Sequence, residues 1–272
     1  MGRTGGIVLA GGGSTRMGRP KASLEWHGST LLRRVAGLVL RGVDGPVVVV
    51  RSAGQELPPL PDGLEVASDS VPGRGPVAGL AAGLGALGDR VDRVFVAATD
   101  MPWLHPAFVR AVMAAMTEQT DVAVPFLGDH RHPLAAAYRA DVAELVDQNL
   151  SVGRLRLSSL FDVCRVVELD AGALLRYGAV AEGDPELRSV DNLNSEADYA
   201  EALARPEPAV TVTDGRAGDA GSSVTTQVST LGAAVDAIGW RLDPEQQLSL
   251  NGRPVAADPE LPLANGDEVT LR

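Results

Sequence analysis

The chain has 272 residues, 45% of them hydrophobic, and a net charge of −11, which suits one or two globular domains and excludes a disordered chain. The acidic balance, with no polybasic patch, excludes broad binding to nucleic-acid backbones, and no apolar run approaches the roughly 20 residues of a membrane-spanning helix. The single cysteine, Cys164, excludes an internal disulfide and a cysteine-based metal site; with no signal-peptide pattern at the N-terminus, a soluble cytoplasmic protein is expected.

In chain order, residues 6–10 (GIVLA) read as a buried strand, followed by a glycine-rich loop. Residues 30–42 have helical apolar spacing. Residues 46–51 and 64–68 read as strands. Residues 75–88 read as a helix opened by Pro76 near its first turn. A strand at 94–98 and a helix at 106–116 follow, then strands at 121–126 and 133–139. This alternation indicates an α/β protein with a doubly wound, mostly parallel sheet. Ligands in such sheets sit beyond the carboxyl ends of the strands, and both the 11–21 loop and Asp100 lie just past strand ends.

Ser195 followed by Asp198 signals the start of a helix over 195–204. Residues 204–210 (ARPEPAV) read as a linker, dividing a domain at 1–205 from one at 206–272. The second domain shows a hairpin at 209–213 and 224–228 and a helix at 230–240. An Asn-Gly turn within 247–256 and a last strand at 267–272 complete it. This ββαββ order suits a small α+β, β-grasp-like domain. Residues 206–272 carry a net −6, against −5 for all that precedes them. The acidic surface is read as maintaining solubility.

Lys21 is the only lysine among 24 lysines and arginines. A compact ammonium differs from a planar guanidinium fork, so a site that must place one point charge among phosphate oxygens has a reason to keep it. The loop before it fits neither known phosphate motif. A dinucleotide fingerprint from Gly11 requires glycine where Arg16 stands, and a Walker A run from Gly13 finds Arg19-Pro20 after Gly18. What remains is a strand, three glycines and two cations, Arg16 and Lys21. Glycines let backbone N–H groups approach phosphate; the competing reading is a tight turn with solvated cations.

Other candidates keep two readings as well. Asp100 could hold Mg²⁺, which prefers oxygen ligands, or cap a turn near 102–106. Asp69 could accept hydrogen bonds from a base or ribose, or cap the turn after it. Gly75 and Gly79 could admit a ligand to the backbone or serve close packing. Asn192 and Asn194 could turn both amides to one ligand while Leu193 packs inward, or cap the helix near 195.

Five blocks occur in order: LAGGGSTRMGRPK (9–21), DSVPGRGPVAGL (69–80), ATDMP (98–102), RHP (131–133) and DNLN (191–194). Together they resemble the MobA-like nucleotidyltransferases over about residues 5–204. The resemblance implies a Rossmann-like nucleotidyltransferase fold, and nucleotide binding by Leu9, Ala10, Gly11, Gly12, Gly13, Arg16, Lys21, Asp69, Gly75, Gly79 and Asp100. It implies Mg²⁺ on Asp100, and acceptor binding by Arg131, His132, Asn192 and Asn194. It further implies transfer of GMP from GTP to the phosphate of molybdopterin, releasing pyrophosphate, with Arg16, Lys21 and Asp100 as the catalytic set. The GPVAGL segment resembles the guanine branch of the family more than the cytosine branch. The alternatives are a CTP-dependent or sugar-phosphate transferase and, in another class, a non-catalytic nucleotide-binding scaffold.

Three features depart from the family pattern. Residues 51–54 read RSAG where relatives often present an asparagine to the nucleotide. Pro20 stands where some relatives have aspartate. The C-terminal extension is an addition, and it resembles small sulfur carriers. Those act through a C-terminal Gly-Gly, whereas this chain ends VTLR. A non-catalytic accessory domain is therefore expected, docking a protein partner or making dimer contacts. A chain ending near Arg205 is expected to stay folded and to bind nucleotide.

Overall fold

The computed structural model describes residues 2–11, 20–69, 73–215, 222–243 and 246–271. Gly12, Gly13 and Arg16, expected at the phosphate site, lie outside the described residues.

The first sheet is built on β1 (Thr4–Leu9), whose last five residues are all buried. A strand apolar on both faces must be covered on both, and β1 sits between β4 (Val47–Ser52) and β6 (Arg93–Ala98), parallel to each. Between β1 and β4 the chain makes a two-stranded hairpin, β2 (Glu25–Trp26) and β3 (Ser29–Thr30). The sheet continues outward from β4 to β5 (Leu64–Asp69), again parallel. On the other side β9 (Ala135–Arg139) joins β6, then β7 (Val122–Leu127), then β10 (Val166–Leu169). β9 runs antiparallel to both neighbours. The sheet is thus largely parallel, with one reversed strand. The short β8 (His130–Arg131) pairs with β7. The strand expected at 133–139 begins two residues later than its apolar pattern suggests.

Helices cover both faces. α1 (Leu31–Gly42) and α3 (Pro106–Ala114) bury Leu32, Val35, Val39, Phe108 and Val112 on one side. α2 (Gly75–Leu87) and α4 (Ala143–Ser151) bury Val77, Leu80, Leu84 and Val146 on the other. Two short helices, α5 (Ala171–Leu175) and α6 (Gly178–Gly183), follow β10. α7 (Glu196–Leu203) starts at Ser195, whose hydroxyl accepts from the Asp198 amide while Asp198 accepts from Ser195 N–H. This is the capping box expected from the sequence.

The second sheet comprises β11 (Ala209–Asp214), β12 (Ser223–Gln227), β13 (Leu248–Leu250), β14 (Arg253–Val255) and β15 (Glu268–Leu271). Its order is β12-β11-β15-β13-β14, with β11 and β15 parallel. α8 (Leu231–Ala237) packs on it through Leu231 and Val235, closing a core with Val210, Val212, Leu250, Val269 and Leu271. Asn251 and Gly252 both have positive φ, 52° and 74°, as a tight Asn-Gly hairpin requires.

α1 is buried nearly all round, Arg33 and Arg34 included. A helix of that kind needs a layer outside it as well as within, and the C-terminal region supplies it. Arg33 reaches Asp258 at 2.7 Å and Glu260 at 3.3 Å, and Arg41 reaches Asp267 at 2.6 Å. Gly37 lets the layers close: a Cβ there would lie 2.6 Å from Pro262 Cγ. The acidity of residues 206–272 therefore has a structural use that the solubility reading missed. Three of its carboxylates neutralise Arg33 and Arg41 of α1.

Candidate active site

The carboxyl ends of β1, β4, β5 and β6 and the start of α2 surround a cleft of about 650 Å³. Leu9, Ala10 and Gly11 line it from β1, Asp69 from β5, Gly75 and Gly79 from α2, and Lys21 and Asp100 from the far wall. Gly75 has φ +67°, a left-handed conformation that favours glycine. Gly79 serves packing: a Cβ there would lie 3.0 Å from Leu9 Cδ2. The side chain that would press α2 away from β1 is absent.

Pro20 leads into a single helical turn, Lys21–Ser23. From it Lys21 Nζ donates to Asp100 Oδ2 at 2.8 Å and to the Leu193 carbonyl at 2.5 Å. Leu193 N–H donates in turn to the Asp100 carbonyl at 2.9 Å. The DNLN block thus closes the Lys21–Asp100 pair through its backbone. Leu193 packs inward at 1% exposure, while Asn192 and Asn194 line the cleft. Asp100 does not cap the following helix. That role belongs to His105, whose Nδ1 accepts from Ala107 N–H at 3.1 Å. Ser195 likewise takes the cap of α7 that the asparagines could have filled.

A second cleft, about 630 Å³, adjoins the first across Leu134, Asn192 and Asn194, and Arg131 and His132 line it. Arg131 pairs with Glu168 at 2.5 Å and stacks over the Phe161 ring at 5.2 Å. His132 bonds the Leu127 carbonyl through Nε2 at 3.1 Å. Burial pushes its pKa below the ordinary histidine value, so it is uncharged at neutral pH.

Sequence reasoning missed Gln55. Its Nε2 donates to the Ala10 carbonyl and its Oε1 accepts from Ser52 N–H, both at 3.0 Å. Reversing the amide would set like groups against each other, so the network fixes its orientation. Arg51 also lines the cleft, and its side chain is tied to Ser68 Oγ and the Gln55 carbonyl. A polar residue three positions beyond the end of β4 was the only signal available. Thr99 was missed too; its hydroxyl donates to the Leu9 carbonyl at 3.0 Å and fixes the turn before Asp100.

Among the described residues no group of three or more His, Cys, Asp or Glu side chains could hold a metal ion by itself. A lone carboxylate such as that of Asp100, beside a cleft, suits an ion that draws its other oxygens from phosphates and water, as Mg²⁺ does.

A sequence profile of the MobA-like NTP transferase domain matches residues 6–163. A probable molybdenum cofactor guanylyltransferase of Mycobacterium tuberculosis H37Rv is 38% identical over 183 residues, 65% of this chain and 89% of its own. The protein of the same name from Mycolicibacterium paratuberculosis is 36% identical over 204 residues, 74% of this chain and 94% of its own. The crystal structure of molybdopterin-guanine dinucleotide biosynthesis protein A from Archaeoglobus fulgidus superposes with a TM-score of 0.57 at 22% identity. It covers 74% of this chain and 97% of its own, and shares the fold. The chain belongs to the MobA-like NTP transferases and is a nucleotidyltransferase. No helix among the described residues is long and apolar enough to cross a membrane.

Proposed function

We propose that this chain transfers GMP from GTP to the phosphate of a molybdopterin-type cofactor, with Mg²⁺ held at Asp100. The reading rests above all on the Lys21–Asp100 pair, 2.8 Å apart, at the wall of a cleft that opens directly onto a second one. The names of the 36–38% identical relatives supply the substrates.

GTP takes the first cleft. Its base end lies along Leu9, Ala10, Gly11, Asp69, Gly75 and Gly79, and its phosphates lie toward Lys21; the family resemblance adds Gly12, Gly13 and Arg16 to the nucleotide-binding set. The acceptor takes the second cleft, against Arg131 and His132, with Asn192 and Asn194 between the substrates. An acceptor phosphate oxygen bonds to the α-phosphorus as the bond to pyrophosphate breaks. The acceptor is already ionised at neutral pH, so no general base is required, and an uncharged His132 is compatible with that. Lys21 and Arg16 hold the triphosphate in line, and alignment with charge neutralisation carries the rate. Bound Mg²⁺ supplies neutralisation of phosphate charge.

The test is pyrophosphate release with Mg²⁺ and molybdopterin, supplied with each of the four common nucleoside triphosphates in turn. Release with GTP is expected. Release with CTP alone would move the protein to the cytidylyl branch. GTP binding without release under any acceptor would make it a scaffold.

A further inference from the structure

Arg34 projects from α1 into the seam beneath the C-terminal sheet and is 3% exposed. Its Nε donates to the Pro102 carbonyl at 2.6 Å, and its two terminal nitrogens reach the carbonyls of Ser229 and Leu263 at 3.3 Å. Among the described residues no carboxylate forms an ion pair with it. Burial lowers its pKa to about 10, so it stays charged at neutral pH. A buried guanidinium hydrogen-bonded only to carbonyls, with the Trp26 ring 6.0 Å from its Cζ, is a costly way to join two domains, and Arg33 and Arg41 already join them with carboxylate partners.

What distinguishes Arg34 is the residue it grips. Pro102 has no N–H, so its carbonyl is its sole backbone handle, and it lies two residues after Asp100. Besides the Lys21–Asp100 bond and the His105 N–H bond to Ser189 Oγ, further contacts hold this loop. Thr99 is tied to Leu9, and the Asp100 carbonyl accepts from Leu193 N–H. Pro102 is held by Arg34. Beyond it His105 Nδ1 accepts from Ala107, so its Nε2 carries the proton and donates to the Asn265 carbonyl at 3.0 Å. The last contact goes directly to the C-terminal region, and the one before it is linked to that region by the other two nitrogens of Arg34.

We infer that the C-terminal domain is a working part of the transferase: through Arg34 and His105 it sets the position of the Asp100 loop, with Arg34 as the positioning residue. This rests on the assignment of Asp100 to the metal under Proposed function. A mere interdomain staple would lower stability when cut and leave the loop unchanged.

The test uses the full chain. Arg34→Met is compared with Arg33→Met, which cuts a tie to the same domain without touching the loop. Two readouts are taken: amide hydrogen exchange at Leu104, whose N–H is bonded to the Met101 carbonyl, and the Mg²⁺ concentration for half-maximal turnover at saturating GTP. Loss of one charge-assisted bond predicts about tenfold faster exchange and an about tenfold higher Mg²⁺ requirement in Arg34→Met, with both within about twofold in Arg33→Met. Arg34→Lys, which can still reach Pro102, falls between. Should Arg34→Met not fold, His105→Asn keeps a cap on α3 and removes the donor to Asn265; it shifts both readouts the same way by less. Equal exchange and equal Mg²⁺ dependence in folded Arg34→Met and Arg33→Met would overturn the inference. A wild-type chain that transfers no nucleotide would sink the guanylyltransferase reading instead, and exchange at Leu104 alone would then decide the role of the seam.

Discussion

Two sets of cation–carboxylate pairs organise this molecule, and they are built differently. In the cleft, Lys21 meets Asp100 at 2.8 Å with 24% and 21% of the side chains exposed. In the seam, Arg41 meets Asp267 at 2.6 Å with 15% and 4% exposed. Asp267 also accepts from Asn251 Nδ2 at 2.8 Å and from Ala264 N–H at 2.6 Å. The first pair touches open solvent and can exchange partners for a phosphate or a metal ion. The second is saturated with donors and cannot. The seam uses planar forks where contacts are permanent, and the cleft places the one lysine among 24 lysines and arginines where a contact must change.

The largest effect expected from breaking this contrast is at Asp100. Asp100→Asn keeps the size and loses the charge that Mg²⁺ needs. Turnover should fall about 1,000-fold, or about 4 kcal/mol, with the far-UV spectrum unchanged. Unaltered pyrophosphate release across a Mg²⁺ titration would remove Asp100 from the metal site.

The seam should answer in stability. Asp267→Ala leaves the Arg41 guanidinium unpaired in the interface and should cost about 3 kcal/mol in urea unfolding. A loss below about 1 kcal/mol, the worth of an exposed pair, would show that the seam is solvated and that the contrast is false.

Lys21→Arg sharpens the comparison further. It preserves charge and substitutes a wider fork, so the cleft should lose about tenfold in turnover, about 1.4 kcal/mol. Wild-type kinetics would mean that any cation serves at that position.

The smallest effect is in pH dependence. Burial holds the pKa values of His105, in the seam, and His132, in the acceptor cleft, below the ordinary value. The unfolded chain, with histidines near about 6.5, then binds protons that the folded chain resists. The contribution of these residues is complete above that pH and is lost as pH falls below it. His105→Gln should reduce the acid-side slope of stability and leave the part due to His132. An unchanged slope would contradict the burial of His105.

Much of the cleft was legible because its parts announce themselves locally. A buried strand, a glycine-rich loop and a carboxylate after VFVAA each carry their signal within a few residues, and the parallel strands bring those ends together. The DNLN block was legible as two exposed amides around a buried leucine. Its main contribution, the Leu193 carbonyl on Lys21, belongs to the backbone and leaves no trace in residue type. Gln55 was invisible because its partner, the Ala10 carbonyl, is 45 residues away. The seam was hidden for the same reason. Arg33, Arg34 and Arg41 look like the solvated face of an amphipathic helix, and Asp258 and Asp267 look like surface charge. Only the approach of two segments more than 220 residues apart turns them into an interface. The reversed direction of β9 is likewise a topological fact that an apolar run such as LAAAY does not encode.

The exchange of partners at Lys21 and Asp100 is tested most directly by anomalous diffraction from crystals of the wild-type chain holding GTP and Mn²⁺. A manganese peak bound by the Asp100 carboxylate and shared with GTP phosphate oxygens is expected, with Lys21 Nζ moved from Asp100 onto a phosphate. A manganese ion and a triphosphate bound elsewhere, with the Lys21–Asp100 bond intact, would contradict it.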